Sequence, residues 1–296
     1  MIRQTRLAFA ASLAALAFAA GGASAAEILI HDAKSQPESL TVAPNGDVIA
    51  GSASSPYVYR VKKGASTAEV IVDASADAPG TFFFGQLADG ATNTLWTCQL
   101  APNPAGGKDA RQSALRAFDL TTFKEKLRWK LPGDNTTCND FAIGPDKALY
   151  IVDTTGAKIY RLAPGSTTPT LFLDNQVLFG VDGVAFLGKE LYVTNVFFGK
   201  LYRVPMDATG KAGAPVDILL DRVAKRPDGM RAGNGKLYWA ENAGGTVDSL
   251  TIKGDTAHVE VIKDGLATPT GIEPHGDTLW ITERAAGKVW SLPLAK

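Results

Sequence analysis

The stretch VDGVAFLGKELYVTNVFFGKLYRV, residues 181–204, decides how the rest of the chain is read. It is an apolar run, a glycine-bearing polar turn, a second run ending in LYVTN, another turn, and a third run ending in LYRV. Short β-branched and aromatic runs between Gly, Asn, Asp and Pro punctuation are the pattern of an antiparallel meander, and no long helical period interrupts it. The same parts recur as PDGMRAGNGKLYWAENAGGTVDSL from Pro227, CNDFAIGPDKALYIVDTTGAKIYRL from Cys138, PESLTVAPNGDVIAGSASSPYVYRV from Pro37 and PTGIEPHGDTLWITERAAGKVWSL from Pro269. A more divergent copy runs from Gly85 through NTLWTCQL to ALRAFDL. A further strand-like run follows each copy but the last: EVIVDA, EKLRWKL, TLFLD, VDILLD and VEVIKD.

The residues opening the copies, Glu38, Gln86, Asn139, Asp182, Asp228 and Thr270, lie 42 to 53 positions apart. Four strands every ~40 to 50 residues is the period of propeller blades. Six copies therefore predict an all-β, six-bladed β-propeller with four-stranded blades. The last copy has no fourth strand after KVWSLPLAK, which would expose an edge. EILIHDA, residues 27–33, has the fourth-strand pattern and is expected to close the ring.

Arg3 and Arg6 precede an apolar run over residues 7–20, and Ala23-Ser24-Ala25 supplies a small-residue cleavage site. Residues 1–25 thus read as a signal peptide, and residues 26–296 as a single propeller domain in the periplasm or outside the cell. With 30 basic and 30 acidic residues and no basic stripe, nucleic acid or an anionic membrane is not the expected partner. A monomer acting on a small molecule is. Cys98 and Cys138 are the only cysteines; in an exported chain they are expected to form one disulfide, two buried thiols being the alternative.

The first strand of each propeller blade lines the central channel, so the opening residues converge at one mouth. The tight turns Asn45-Gly46, Pro145-Asp146, Asn234-Gly235 and His275-Gly276 fall at the opposite end. Asp228, in a Pro-Asp-Gly triplet that looks like a turn, becomes a channel residue, while Asp146 stays a turn residue. Three carboxylates and an amide at one mouth would repel one another without a cation. Oxygen-only donors suit a hard ion, Ca2+ before Mg2+. Zn2+ lacks ligands there, because His31, His258 and His275 belong to outer strands or a far-end turn. Separately solvated acids are the alternative.

The combination of Glu38, Asn139-Asp140, Asp182-Gly183 and Pro227-Asp228-Gly229-Met230 resembles the regucalcin/gluconolactonase family of six-bladed, metal-dependent hydrolases, over nearly all of residues 26–296. The resemblance implies a divalent cation held by Glu38, Asp182 and Asp228, with Asn139 reaching the metal or the substrate. It departs from the family at Asp182, usually Asn, and at Thr137, where many sugar lactonases carry Arg. The expected activity is Ca2+-dependent hydrolysis of a lactone or related ester, with Asp228 or Asp182 as general base. Gln86, Thr137, Phe197, Phe198 and Thr270 are candidate substrate contacts, and CQLAPNPAGGKDARQ is either a mouth wall or a plain surface loop. A non-catalytic propeller with a structural cation is the competing expectation.

Overall fold

Each repeat folds into an antiparallel sheet whose strands follow chain order, and the six sheets stand around one axis. The computed structural model describes residues 26–30 and 35–294; the predicted signal segment and His31 lie outside the described residues. The first strands are Pro37–Val42, Phe82–Asp89, Cys138–Ile143, Val181–Leu187, Pro227–Gly233 and Pro269–His275. The strand Ala26–Leu29 pairs with Lys288–Pro293, Glu27 lying opposite Trp290, and completes the sixth blade.

The strands carry apolar residues on both faces because each sheet is covered by two neighbours. Leu149–Asp153, for example, is buried at every position. Six buried apolar clusters result, one at each blade interface. Tyr150, Val152 and Ile159 of blade 3 meet Val184, Leu191 and Val193 of blade 4, and Leu40 and Tyr59 of blade 1 meet Val289 of blade 6. The ring is thus held by side-on hydrophobic packing, its largest stabilising contribution.

VDILLD does not form one continuous fourth strand. Val216–Asp217 pairs with Lys200–Val204 of blade 4, then Leu219–Leu220 pairs in parallel with Thr256–Lys263 of blade 5. Ile218 causes the break. It is buried in the cluster between the two blades, its N–H donating to the Leu201 carbonyl at 2.9 Å, while the next N–H donates to Asp255 O at 2.9 Å. The segment thereby covers the outer edge of blade 5.

The mouth is held by buried acids that end the second strands. Asp153, Glu241 and Glu283 accept the backbone N–H of Thr137 (2.8 Å), Lys225 (3.0 Å) and Ala267 (2.6 Å), each on the segment entering its blade. Cys98 and Cys138 are joined as a disulfide between blades 2 and 3, with Cα atoms 5.3 Å apart and 40 positions separating them in sequence. A loop of that length corresponds to about 4 kcal/mol of unfolded-chain entropy. The Cys98→Ser/Cys138→Ser variant is expected to lose about that much stability in urea titration, and dithiothreitol should destabilise the native protein comparably. An unchanged urea midpoint in both experiments would contradict this.

Candidate active site

Every first strand carries the same irregularity: its pairing slips by one residue, between Pro37 and Leu40, Phe83 and Gln86, Cys138 and Phe141, Val181 and Val184, Pro227 and Met230, and Pro269 and Ile272. Two residues lie within each slip. The first is aimed at the channel; the second packs against the next blade, a common use of a bulge beside a site. The second position explains the glycines. A Cβ on Gly183 would stand 2.5 Å from Met230 N, and one on Gly229 2.6 Å from Thr270 O. Asp-Gly here is an acid on the channel followed by a close contact between blades.

This register corrects the reading of blade 2. The matching position is Phe84, which lines the mouth, while Gln86 lies two residues deeper, fully buried. Its Nε2 donates to Phe84 O at 2.8 Å and Thr97 Oγ1 at 2.7 Å, away from any substrate. The divergence of this copy hid the offset.

Glu38, Asn139, Asp182, Asp228 and Thr270 come together around about 10 Å³ of space, room for one water-sized particle. Asn139 donates both amide hydrogens, to Thr154 Oγ1 (2.9 Å) and Asp182 Oδ2 (2.8 Å), so its oxygen is the atom left to act as an acceptor. Asp182 lies close enough to Asp228 for the two carboxyls to act on each other. Asp228 also accepts from Gly229 N and Asn242 Nδ2, both at 3.1 Å. Glu38 Oε2 is buried and has no partner. Thr270 Oγ1 is bonded to Thr282 Oγ1 at 3.0 Å and joins the floor as a structural brace.

Burial, and then the neighbouring acids, hold the Glu38 and Asp182 carboxyls well above the usual range. Burial pushes Asp228 up to about 6, and its hydrogen bonds to Asp182 and Asn242 oppose that rise. Among the described residues, no group of three or more His, Cys, Asp or Glu side chains already stands as an ion cage. The donor set of this floor nevertheless fits a hard cation, since it comprises three buried carboxyls, one of them with an orphaned oxygen, and an amide oxygen.

Below the floor the channel is plugged. Arg231 donates to Asp140 at 2.6 Å, Glu273 at 3.1 Å and Gln86 O at 3.2 Å, tying together blades 2, 3, 5 and 6. Access is from above, through a cavity of about 160 Å³ walled by Phe84, Thr137, Phe197, Arg111, Arg226 and Arg284. Phe197 packs on Phe179 at a centroid distance of 5.4 Å. Phe198 is 63% exposed and does not line the cavity. Thr137 lies on the wall, bonded to Thr155 Oγ1 at 3.2 Å.

The sequence reading missed the three arginines and Asn242. Arg226 lies two residues before Asp228, as Thr137 lies two before Asn139. Thr154, Val196, Asn242 and Arg284 each follow directly the last residue of a second strand and form a second ring above the floor. That register could have found three of the four missed residues. Arg111 is delivered by the long excursion of blade 2, which is therefore a mouth wall. A larger groove of about 520 Å³ lies between blades 2 and 3 at the far end, but its charged residues Asp89, Lys126 and Lys147 are none of them buried. It lacks the converging, perturbed groups that mark the mouth.

No family model matches this sequence. Over 83 residues it is 30% identical to core trichothecene cluster protein 14 of Fusarium sporotrichioides, a match covering 27% of this chain and 22% of that protein. Among solved structures, it is similar to a gluconolactonase of Xanthomonas campestris (17% identity, 89% of each chain, TM-score 0.66). It is also similar to a second protein assigned as a gluconolactonase (17%, 93% and 95%, TM-score 0.68) and to virginiamycin B lyase of Staphylococcus aureus (15%, 92% and 99%, TM-score 0.64). At these identities the similarity establishes the fold. The chain is a six-bladed β-propeller with a polar mouth, and its fold is shared with gluconolactonases, in keeping with the resemblance carried by its blade-opening motifs.

Proposed function

We propose that this protein is a divalent-cation-dependent hydrolase of lactones or related esters, acting at the channel mouth and exported to an oxidising compartment. The observation that carries the reading is the meeting of Glu38, Asn139, Asp182 and Asp228 from four blades around one-particle space, with mutually raised acids and an orphaned Glu38 oxygen. These four would hold the cation, Ca2+ fitting best. When bound, it would polarise the substrate carbonyl and favour ionisation of water.

The chain's own residues supply the rest. Asp228, with its affinity for protons raised toward neutrality, takes a proton from water as that water adds to the carbonyl carbon. The ring or ester C–O bond then breaks, and the same proton passes to the leaving oxygen. Asn242 holds Asp228 in place, Phe84 and Phe197 exclude water, and the Arg231 plug denies solvent a route from beneath. Among the described residues a lyase reading has no histidine to draw on at the mouth. A variant of the Staphylococcus aureus enzyme with one histidine replaced by alanine is catalytically inactive, while the two described histidines of this chain, His258 and His275, lie on the outer strand of blade 5 and at a far-end turn.

The test is a panel of lactones and aryl esters assayed with and without chelator. Turnover abolished by EDTA and restored by Ca2+ is expected. Asp182, where the resembled family carries Asn, favours a second reading, a binding propeller with a structural cation. Chelator-sensitive stability with no turnover across the panel would decide for it.

A further inference from the structure

We propose that the mouth selects a substrate bearing a carboxylate, a small lactone or ester with a free acid group, gripped by Arg226, Arg284 and Arg111 while its carbonyl faces the acid floor. This rests on the hydrolase reading above and names its substrate class. Ten arginines lie among the described residues, and seven are in ion pairs with acidic side chains. The three that are not are the three walling the cavity. They arrive from blades 2, 5 and 6, so no single local feature accounts for their meeting.

Their guanidinium groups have donors to spare. The Arg284 side chain makes one long hydrogen bond to Gln36 Oε1, at 3.5 Å, and Arg111 lies over the Phe82 ring at 5.6 Å. Arg226 stands in a left-handed conformation with φ of 59°, a backbone that Gln36 and Thr268 share at the same place in blades 1 and 6 and that Gly180 takes in blade 4. The position therefore accepts several side chains, and only in blade 5 does it bring a cation to the cavity. A divalent cation on the floor would offset two of the three charges of Glu38, Asp182 and Asp228, leaving one to face the three arginines above, so most of the guanidinium charge would have no internal counter-charge. An anion completes the balance, and a carboxylate matches the guanidinium fork better than a hydroxyl does. Water adds to the lactone carbonyl, the ring C–O bond breaks, and the water proton ends on the released hydroxyl, so the product is a hydroxy dicarboxylate.

The experiment uses the mature protein with Ca2+ and two lactones of one ring size, neutral D-glucono-1,4-lactone and anionic D-glucaro-1,4-lactone. The kcat/KM for the anion is expected to be at least about tenfold higher, the worth of one charge-assisted hydrogen bond. That ratio should fall toward one in Arg226→Gln/Arg284→Gln and as NaCl rises. A ratio near one in the native protein, or a ratio untouched by the substitutions, overturns the proposal while leaving the hydrolase reading intact. If neither lactone is turned over, calorimetric binding of D-glucarate against neutral D-glucitol separates the two. Arginine-dependent glucarate binding keeps the anion site and sinks the hydrolase; absence of glucarate binding sinks the anion site.

Discussion

Asp228→Asn is expected to lower kcat/KM for the hydrolysed lactone by about 10³-fold or more while the protein stays folded. The substitution preserves shape and retains an oxygen for the Gly229 N–H, which bonds Oδ1, while the Asn242 amide, which donates to Oδ2, must turn its own oxygen toward the new NH2; it removes the proton acceptor and one anionic group. Because burial disfavours a charge here, a neutral amide should leave the melting temperature in chelator unchanged or raised at pH 8. Folding and catalysis are thereby separable in one variant. The control is Asp146→Asn. Asp146 has a similar Pro-Asp setting but sits in a far-end turn, bonded to Arg161 and Tyr150, and its loss should leave turnover alone. Full activity in Asp228→Asn would remove the proposed mechanism.

The second large effect is on stability. Glu38, Asp182, Asp228 and Glu273 all have folded-state values raised by burial, Asp228 to about 6 and Glu273 to about 7. An acid raised on folding favours the folded state fully only below its unfolded value, near 4. That contribution is lost as pH rises through the folded value. In EDTA, the melting temperature should therefore fall between pH 5 and pH 8, on the order of 5 to 10 °C. Acids shifted the other way, such as Asp119 and Asp146, lose their contribution only as pH falls below about 4, outside this window. Calcium should reverse the trend. At ~1,000 times its dissociation constant it would add about 4 kcal/mol, and more at pH 8 than at pH 5, because it must displace protons from the same oxygens. A melting temperature that rises from pH 5 to pH 8 in chelator, or is indifferent to calcium, would contradict a cation site built on these acids.

The raised carboxyls also bear on the departure at position 182. Burial and the neighbouring acids hold Asp182 well above the usual carboxyl range, so the site opposes an extra negative charge there until an ion offsets it. The competition between proton and ion is thus set by the protein, and the pH experiment measures it.

The repeat made the fold legible. Six copies of one strand pattern, each apolar on both faces, can bury themselves only against each other, and the ring closed by Ala26–Leu29 follows from that requirement. The placement of Glu38, Asn139, Asp182 and Asp228 at one mouth was legible too, because equal register in equivalent strands puts equivalent residues at equal height. Gln86 was misplaced because the divergent second copy can be aligned two residues out of register without any mark in composition; only the pairing of Gln86 with Thr97, beyond the slip, reveals it. VDILLD reads as a strand by pattern, yet burial of Ile218 between blades splits it. The arginines were missed for a different reason. Arg226 and Arg284 stand at places that recur in every blade, but nothing in the repeat marks those places as cavity wall, and Arg111 opens a strand after the long excursion of the divergent copy; the three meet only when the ring brings blades 2, 5 and 6 around one cavity. Local periodicity determined the architecture and the acid floor; long-range packing alone decided the charged wall above it and the plug beneath.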